Sequence, residues 1–239
     1  MRLLSISGIR GGTGTTTVLA ALGYALHRLE QRVLLVDLSP ANMLGLHFEQ
    51  PVSHQQGWAR AYVESADWRA QALELQPGLC LLPHGRITRQ EQERLELWLR
   101  NHPGEWNRRM SRLADRFDWI LFDSPHDSGA RAGSLQPDVS IQVINADAAC
   151  QVLLQAAPSA SWLLVNRFEA GSRLQQDLLL LWRRQFADRL LPLVLHRDES
   201  TAEALAHKLP LGTYAPQSQN ATTADSLAVW CLARRGRTC

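Results

Sequence analysis

The segment Gly8-Ile9-Arg10-Gly11-Gly12-Thr13-Gly14-Thr15-Thr16-Thr17 decides the fold of this chain. It follows a short apolar run, Leu3 to Ile6, and it opens a stretch in which Val18, Leu22, Leu26 and Leu29 recur at helical spacing. Glycines between a strand and a helix let backbone N–H groups turn toward an anion, and the start of a helix favours negative charge. The pattern predicts a nucleotide-phosphate loop rather than an ordinary glycine-rich turn.

Every residue of this loop is expected to contact the nucleotide. The expected set is Ile9, Arg10, Gly11, Gly12, Thr13, Gly14, Thr15, Thr16 and Thr17. The loop departs twice from the usual pattern G-x-x-x-x-G-K-[ST]. Ile9 replaces the first glycine and Thr15 replaces the lysine, and the only lysine of the chain is the distant Lys208. Arg10 occupies the place of the extra lysine in the deviant form K-G-G-x-G-K-T, and its guanidinium can bind phosphate through two parallel hydrogen bonds.

Two apolar strands end in carboxylates that are candidates for a metal site. Asp37 follows Val33 to Val36, and Asp123 follows Trp119 to Phe122. P-loop proteins hold Mg²⁺ with such a carboxylate and with the loop hydroxyl, which is Thr16 here. The sequence therefore predicts ATP with Mg²⁺ at Thr16, Asp37 and Asp123, and Asp37 is also the candidate catalytic residue.

Polar residues after two later strands are candidates for contacts with the base and the ribose. Asn166 follows Trp162 to Val165, and its amide can read a base edge. Arg197 and Asp198 follow a run that ends at His196, and they can close over the base. The alternative for these residues is a helix or loop cap, or a surface ion pair.

Short apolar runs alternate with helical patterns along the whole chain, which is typical of βαβ units. We predict one α/β domain, residues 1–239, with a three-layer P-loop fold. A mostly parallel sheet of about seven strands has helices on both faces, and Gln50–Pro77 is a surface insertion. The predicted strands are Arg2–Ser7, Arg32–Asp37, Leu79–Leu82, Asp118–Asp123, Val139–Asn145, Ser161–Asn166 and Leu190–His196. The predicted helices are Thr16–Leu29, one capped by Thr88 and Glu91, one through Trp106, Met110, Leu113 and Phe117, Gln175–Phe186, Thr201–Lys208 and Thr222–Ala233.

Composition narrows the classes of function. The net charge of +2 is too small to predict binding to nucleic acid or to an anionic membrane. The four cysteines form no C-x-x-C pair, and no apolar run is long enough for a signal peptide or a membrane span. We expect reduced thiols and a cytoplasmic location.

Over nearly its whole length the chain resembles the MinD/ParA superfamily of deviant P-loop ATPases. Within it, the chain is similar to the BcsQ family of bacterial cellulose biosynthesis proteins, in which the loop lysine is also missing. The segments that carry this resemblance are Arg10–Thr17, Gln56-Gly57-Trp58-Ala59-Arg60-Ala61, Asp67-Trp68-Arg69 and His196-Arg197-Asp198-Glu199.

The resemblance implies an ATP-dependent homodimer that supports assembly or placement of the cellulose synthase at the inner membrane. Arg10 matches the lysine that reaches the partner's phosphates in this superfamily. The implied partners are the small protein BcsR, a regulator like the cyclic-di-GMP-binding BcsE and, indirectly, the synthase, with membrane association only through partners. Ser39 stands where the superfamily has a second aspartate that positions the attacking water, so weak or absent hydrolysis is expected.

Two other functions remain to be weighed against this one. A ParA-like DNA-partitioning ATPase needs a clustered basic surface, whereas the arginines here are scattered among acidic residues. An iron–sulfur reductase of the nitrogenase iron-protein type needs paired cysteines across a dimer. A gel-shift with nonspecific DNA and an iron assay separate these functions from the first.

Overall fold

The computed structural model describes residues 1–126, 134–156 and 161–234, and an eight-stranded sheet forms its centre. The strands are β1 (Arg2–Gly8), β2 (Val33–Asp37), β3 (Leu73–Gln76), β4 (Leu79–Leu82), β5 (Trp119–Ser124), β6 (Val139–Asn145), β7 (Trp162–Phe168) and β8 (Leu190–His196). Their order is β3-β4-β2-β5-β1-β6-β7-β8. All neighbours pair in parallel except β3 with β4, so the carboxyl ends of β1, β2, β5, β6 and β7 meet at one edge.

Helices cover both faces of this sheet. They are α1 (Thr15–Arg28), α2 (Trp58–Val63), α3 (Arg89–Asn101), α4 (Glu105–Ser111), α5 (Ala148–Ala156), α6 (Arg173–Gln185), α7 (Glu199–Ala206), α8 (Leu211–Tyr214) and α9 (Gln219–Arg234). Helices α1 and α9 pack on the face that carries Leu4 and Leu121. Helices α3 and α4 pack on the face that carries Leu3 and Phe122, and α5 and α6 cover β6 and β7. The three-layer α/β arrangement expected from the sequence is confirmed.

The central strands are buried on both faces, as parallel strands between two helix layers must be. All five residues of β2 and all six residues of β5 are buried. This continuous burial explains why their runs are apolar without alternation. It also makes the polar residues at their carboxyl ends conspicuous, since Asp37 and Asp123 are among the few buried charged side chains.

The segment Gln50–Pro77 differs from its expected role as a surface insertion. Its Trp58 is 1% exposed, donates its indole N–H to the carbonyl of Asp37 over 2.7 Å, and packs edge-on against Trp106. The segment also contributes β3, the strand missing from the prediction. Residues 50–77 therefore hold the end of β2 in place and close one side of the sheet.

Neither edge of the sheet presents a long regular strand. The edge strand β3 has four residues and a register shift, and its Glu74 and Gln76 are exposed. At the other edge, β8 carries the exposed Pro192, which has no backbone N–H to donate.

The helix boundaries follow local capping. Thr88 and Glu91 form the predicted capping box at the start of α3. Helix α7 begins at Glu199 because the Asp198 side chain accepts from the amide of Ser200, so it starts earlier than predicted. Helix α4 ends at Ser111, before the positions where a longer helix was expected. Among the described residues, no helix combines the length and apolar character needed to cross a membrane.

Candidate functional site

The loop between β1 and α1 lies over the carboxyl ends of the central strands. The amide of Ile9 donates to the carbonyl of Val143 over 3.0 Å, so the sheet ladder continues to this residue. Its side chain packs against the core that α5 and α6 cover. Ile9 was expected to contact the nucleotide, but its N–H is committed to the sheet. The part of the loop that can hold phosphate therefore begins after it.

Two glycines allow the loop to take this path. A Cβ on Gly8 would lie 2.4 Å from the hydroxyl of Thr13. Gly14 has a φ of +88°, and a Cβ there would lie 2.5 Å from the amide nitrogen of Asn166. The helical ladder begins with Val18 donating to the carbonyl of Gly14, so the amides before it lack an intrahelical partner. These amides, at the start of α1, form the anion-binding feature that the sequence predicts.

Asn166 is a support of the loop. It lies at the carboxyl end region of β7, is 8% exposed, and donates its amide N–H to the carbonyl of Thr13 over 2.7 Å. Thr13 itself is buried beneath the loop, with its hydroxyl near that of Thr15. The side-chain amide of Asn166, which was predicted to contact the base, is thus partly engaged in fixing the loop to the sheet.

Thr16, Asp37 and Asp123 come together at the ends of β2 and β5. The Thr16 hydroxyl donates to Asp123 over 2.7 Å, and Asp37 is the register partner of Asp123. Asp37 is fully buried, and its two oxygens accept from the amides of Ser39 and Leu44. It therefore lies behind the cleft and orders the chain after β2, whereas Asp123 lines the cleft.

The electrostatics of this pair suit a divalent cation. Burial, followed by the nearby charge of Asp123, raises the pKa of Asp37 to about 8. Burial also raises the pKa of Asp123. Two buried carboxylates that resist ionisation together are stabilised by a cation, and hydroxyl and carboxylate oxygens are ligands that Mg²⁺ accepts. The residues present fit the metal that the sequence predicts.

Arg10 is folded back onto its own chain. Its guanidinium pairs with Asp147, a residue that the sequence interpretation missed, and donates to the carbonyl of Gly11. Asp147 also accepts from the amide of Cys150 and so caps α5. Burial alone would raise the pKa of Asp147, but these contacts hold it below its ordinary value. Its position just after the predicted strand Val139–Asn145 is the sequence feature that could have identified Asp147 as part of the site.

Two adjoining cavities lie beside the loop. The first, here called the loop cleft, has a volume of about 420 Å³ and is lined by the loop, Ser39, His47 and Asp123. The second, the lateral cavity, has a volume of about 640 Å³ and is lined by Asn166 and Arg197 among others. Together they extend from the phosphate loop to the β8–α7 corner, which is enough room for an extended nucleotide.

Arg197 and Asp198 line the lateral cavity, but both side chains already have partners. Arg197 pairs with Glu169 over 3.0 Å, and Asp198 caps α7 through Ser200. These are the ion pair and the cap that were considered as alternatives. In the loop cleft, burial lowers the pKa of His47 to about 4, so that this side chain is neutral.

Arg167 is the second residue that the sequence interpretation missed. It follows Asn166 at the carboxyl end of β7 and lines both cavities. Its guanidinium donates to the carbonyl of Gly12 over 2.9 Å. The rule that ligands bind at the carboxyl ends of parallel strands would have marked this position.

A glycine-rich loop over the ends of a mostly parallel sheet, followed by paired strand-end aspartates, defines a P-loop fold of the MinD/ParA class. The structure matches the septum site-determining protein MinD of Pyrococcus horikoshii, solved with Mg-ADP, with a TM-score of 0.75 and 24% identity, covering 98% of this chain and 97% of that one. It matches a ParA family ATPase from Chlorobium tepidum with a TM-score of 0.72 and 19% identity, covering 95% and 98%.

Within this class, the chain belongs to the BcsQ family. The model of the family described as cellulose biosynthesis protein BcsQ matches residues 1–232. The BcsQ protein of Escherichia coli K12 is 40% identical in an alignment 245 residues long, and this alignment covers 97% of this chain and 94% of the relative. The resemblance predicted from the loop and from the segment around Trp58 is confirmed.

Proposed function

We propose that this chain is an ATP- and Mg²⁺-binding factor that assembles or places the bacterial cellulose synthase complex. It acts as a nucleotide-dependent homodimer with little or slow hydrolysis. The family match supports the role in cellulose biosynthesis. The observation that carries the nucleotide proposal is the hydrogen bond from the Thr16 hydroxyl to Asp123 in the loop cleft, which the glycine-rich loop also lines.

Each part of the site has a role in binding. The amides from Gly11 to Thr17 hold the phosphates, and Thr16 and Asp123 hold Mg²⁺, with Asp37 contributing charge from behind. When bound, Mg²⁺ neutralises negative charge on the phosphate oxygens. The base enters the lateral cavity, where Asn166 supports the loop and Arg197 forms part of the wall.

The homodimer requires a movement of Arg10. In the present structure its charge is neutralised by Asp147. In the dimer, Arg10 leaves this carboxylate and binds the phosphates held by the second copy. Burial of the phosphates between two copies supplies the attraction, since charge-assisted hydrogen bonds from arginine to phosphate are among the stronger ones.

The proposed partners are a small protein of the BcsR type, a BcsE-like regulator and, through them, the cellulose synthase. Contact with the membrane is made through these partners. Because Thr15 and Ser39 are neutral, the bound ATP acts mainly to hold the assembly together, and its slow turnover sets the lifetime of the complex.

Calorimetric titration of the chain with ATP and Mg²⁺ tests the proposal. Thr16→Ala removes a metal ligand and the hydroxyl that contacts Asp123, so Mg²⁺-ATP should bind about tenfold or more weakly. Thr223→Ala is the control, because that hydroxyl only bonds back to Gln219 within α9. If the folded wild type binds no adenine nucleotide, alone or with its operon partners, the proposed function is wrong.

A further inference from the structure

Three arginines line the cavities beside the loop, and they differ in how their charge is used. Arg10 is paired with Asp147, and Arg197 is paired with Glu169. Within the described part of the chain, Arg167 has no carboxylate partner, and its hydrogen bond is to the carbonyl of Gly12. Arg167 is therefore the arginine at these cavities whose charge is left for a ligand.

The position of Arg167 directs that charge onto the phosphate loop. Its Nε lies 3.8 Å from the point that a Cβ on Gly14 would occupy, and its Nη1 lies 2.9 Å from the carbonyl of Gly12. An arginine has five N–H donors, and this contact uses one of them. The other donors remain available for a ligand, and Arg167 lines both the loop cleft and the lateral cavity.

The backbone of Arg167 is held in an unusual conformation. Its φ is +54°, in the left-handed region that residues other than glycine, asparagine and aspartate rarely occupy. Such conformations persist where the surrounding structure fixes them, and they cluster at ligand sites. Here the left-handed turn comes directly after Asn166, which is itself bonded to the loop through Thr13. Both residues thus bring β7 onto the loop.

We propose that Arg167 binds the phosphates beyond the α-phosphate of the nucleotide held by its own chain. It thereby supplies in cis the positive charge that Thr15 does not. This inference rests on the proposed function, since it assigns a further residue to the same nucleotide site. It also gives Arg167 and Arg10 different roles in nucleotide binding. Arg167 sets the affinity of each single chain for nucleotide, whereas Arg10 acts between two chains.

The test compares ADP with AMP, in the presence of Mg²⁺, by titration calorimetry at a chain concentration that keeps the protein monomeric. Arg167→Ala should weaken ADP binding about tenfold or more, because a charge-assisted contact to phosphate is lost. Binding of AMP, which lacks the β-phosphate, should be unchanged. Arg167→Lys should restore part of the ADP affinity. Arg89→Ala, which removes an arginine with a side chain 94% exposed on α3, is the charge-matched control.

A second variant separates binding from folding. Arg167→Gly removes the side chain at a left-handed position that glycine adopts readily, so this variant should melt no earlier than the wild type. It should lose ADP affinity as Arg167→Ala does. Unchanged ADP affinity in both variants, or an equal loss for ADP and AMP, would overturn the inference while leaving the proposed function intact. A wild type that binds no nucleotide would instead remove the proposed function, and this inference with it.

Discussion

Two hydroxyl residues, Thr15 and Ser39, determine what this site can do at the scale of single residues. Phosphoryl transfer depends on cations that neutralise charge on the γ-phosphate and on a group that orients the attacking water. Thr15 supplies no cation, so this charge has to come from Arg167 as proposed above, but nothing replaces the water-positioning carboxylate. Ser39 lines the loop cleft with a short side chain that accepts from the amide of Ala41. His47, which also lines the cleft, cannot supply the positive charge or the water-orienting carboxylate, because its side chain is buried and neutral.

We therefore expect the wild type to hydrolyse ATP well below about 1 s⁻¹, the lower end for efficient phosphoryl-transfer enzymes. Thr15→Lys should raise turnover modestly, and adding Ser39→Asp should raise it further. Multiple-turnover assays with purified protein measure both effects. The Ser39→Ala variant is the control and should be as slow as the wild type. Wild-type turnover of about 1 s⁻¹ or above would falsify this prediction and show that another residue positions the water.

Asp37 makes the stability of the nucleotide-free chain depend on pH. Its pKa is raised from 3.8 to about 8 by burial and by Asp123, so the folded state prefers the protonated form. The corresponding stabilisation is fully present below the unfolded pKa and is lost as pH rises through about 8. The free energy of unfolding should accordingly fall as the pH rises from about 4 to about 8 and level off at higher pH.

Urea unfolding of the wild type and of Asp37→Asn across this range measures the effect. The variant loses one acceptor for the amides of Ser39 and Leu44, so it should be less stable than the wild type at low pH, and this difference should shrink as the pH rises and Asp37 ionises. The informative quantity is the slope with pH, which should be smaller in Asp37→Asn. Equal slopes for the two proteins would show that Asp37 is ionised in the folded state at neutral pH.

The sequence predicted some residues of the site and missed others for physical reasons. Thr16 and Asp123 were predicted because their positions follow directly from a loop and an apolar strand. Arg167 was missed because its left-handed backbone, and thus its direction, depends on packing that no local pattern records. The pairing of Arg10 with Asp147 spans 137 residues of sequence and depends on the order of the strands.

At the scale of elements, two helices begin after a glycine in the left-handed conformation. Gly14 precedes α1 with a φ of +88°, and Gly104 precedes α4 with a φ of +71°. A Cβ on Gly104 would meet nothing within 4 Å, whereas one on Gly14 would meet Asn166 at 2.5 Å. The two positions therefore share a backbone requirement and differ in the space around them.

We expect Gly104→Ala to lower the free energy of unfolding by about 1 kcal/mol, the cost of a left-handed residue with a side chain. Gly14→Ala should cost about 1 to 3 kcal/mol more, because Asn166 must move. Only Gly14→Ala should also weaken nucleotide binding. Chemical denaturation and titration calorimetry of both variants test this. Equal costs for the two substitutions would mean that Asn166 yields freely and does not fix the loop.

The elements themselves were predicted best where burial is uniform. Strands such as β2 and β5 have continuous apolar runs, which the sequence shows directly. Strand β3 was missed because its four residues alternate between partly buried and exposed side chains in an irregular stretch. The burial of Trp58 depends on an acceptor at Asp37, far away in sequence, and so it is visible only in the folded chain.

At the scale of the whole molecule, nucleotide should promote association of two copies. Arg10→Ala should abolish this effect, since one charge-assisted contact to phosphate contributes on the order of 2 kcal/mol. Asp147→Asn should have the opposite effect. Asparagine can still cap α5, but it releases the charge of Arg10, so less ATP should be needed for the dimer.

Light scattering of the wild type and the two variants, with and without ATP and Mg²⁺, measures this association. Circular dichroism of Asp147→Asn serves as the control that α5 remains formed. A mass that is the same with and without ATP in the wild type, under conditions where nucleotide is bound, would exclude the ATP-dependent dimer. A lower tendency to dimerise in Asp147→Asn would show that Asp147 itself belongs to the interface.

The blunted edges of the sheet restrict how copies of this protein can meet at high local concentration. An unprotected strand edge recruits further strands and leads to open-ended growth of fibrils or amorphous precipitate. Here one edge is a short, irregular strand that carries Glu74, and the other is a seven-residue strand that carries the exposed Pro192. Neither is a good template for such growth. The sheet edges therefore give crowded copies of the chain little opportunity to grow into open-ended aggregates, which suits the local concentration that the proposed function would require.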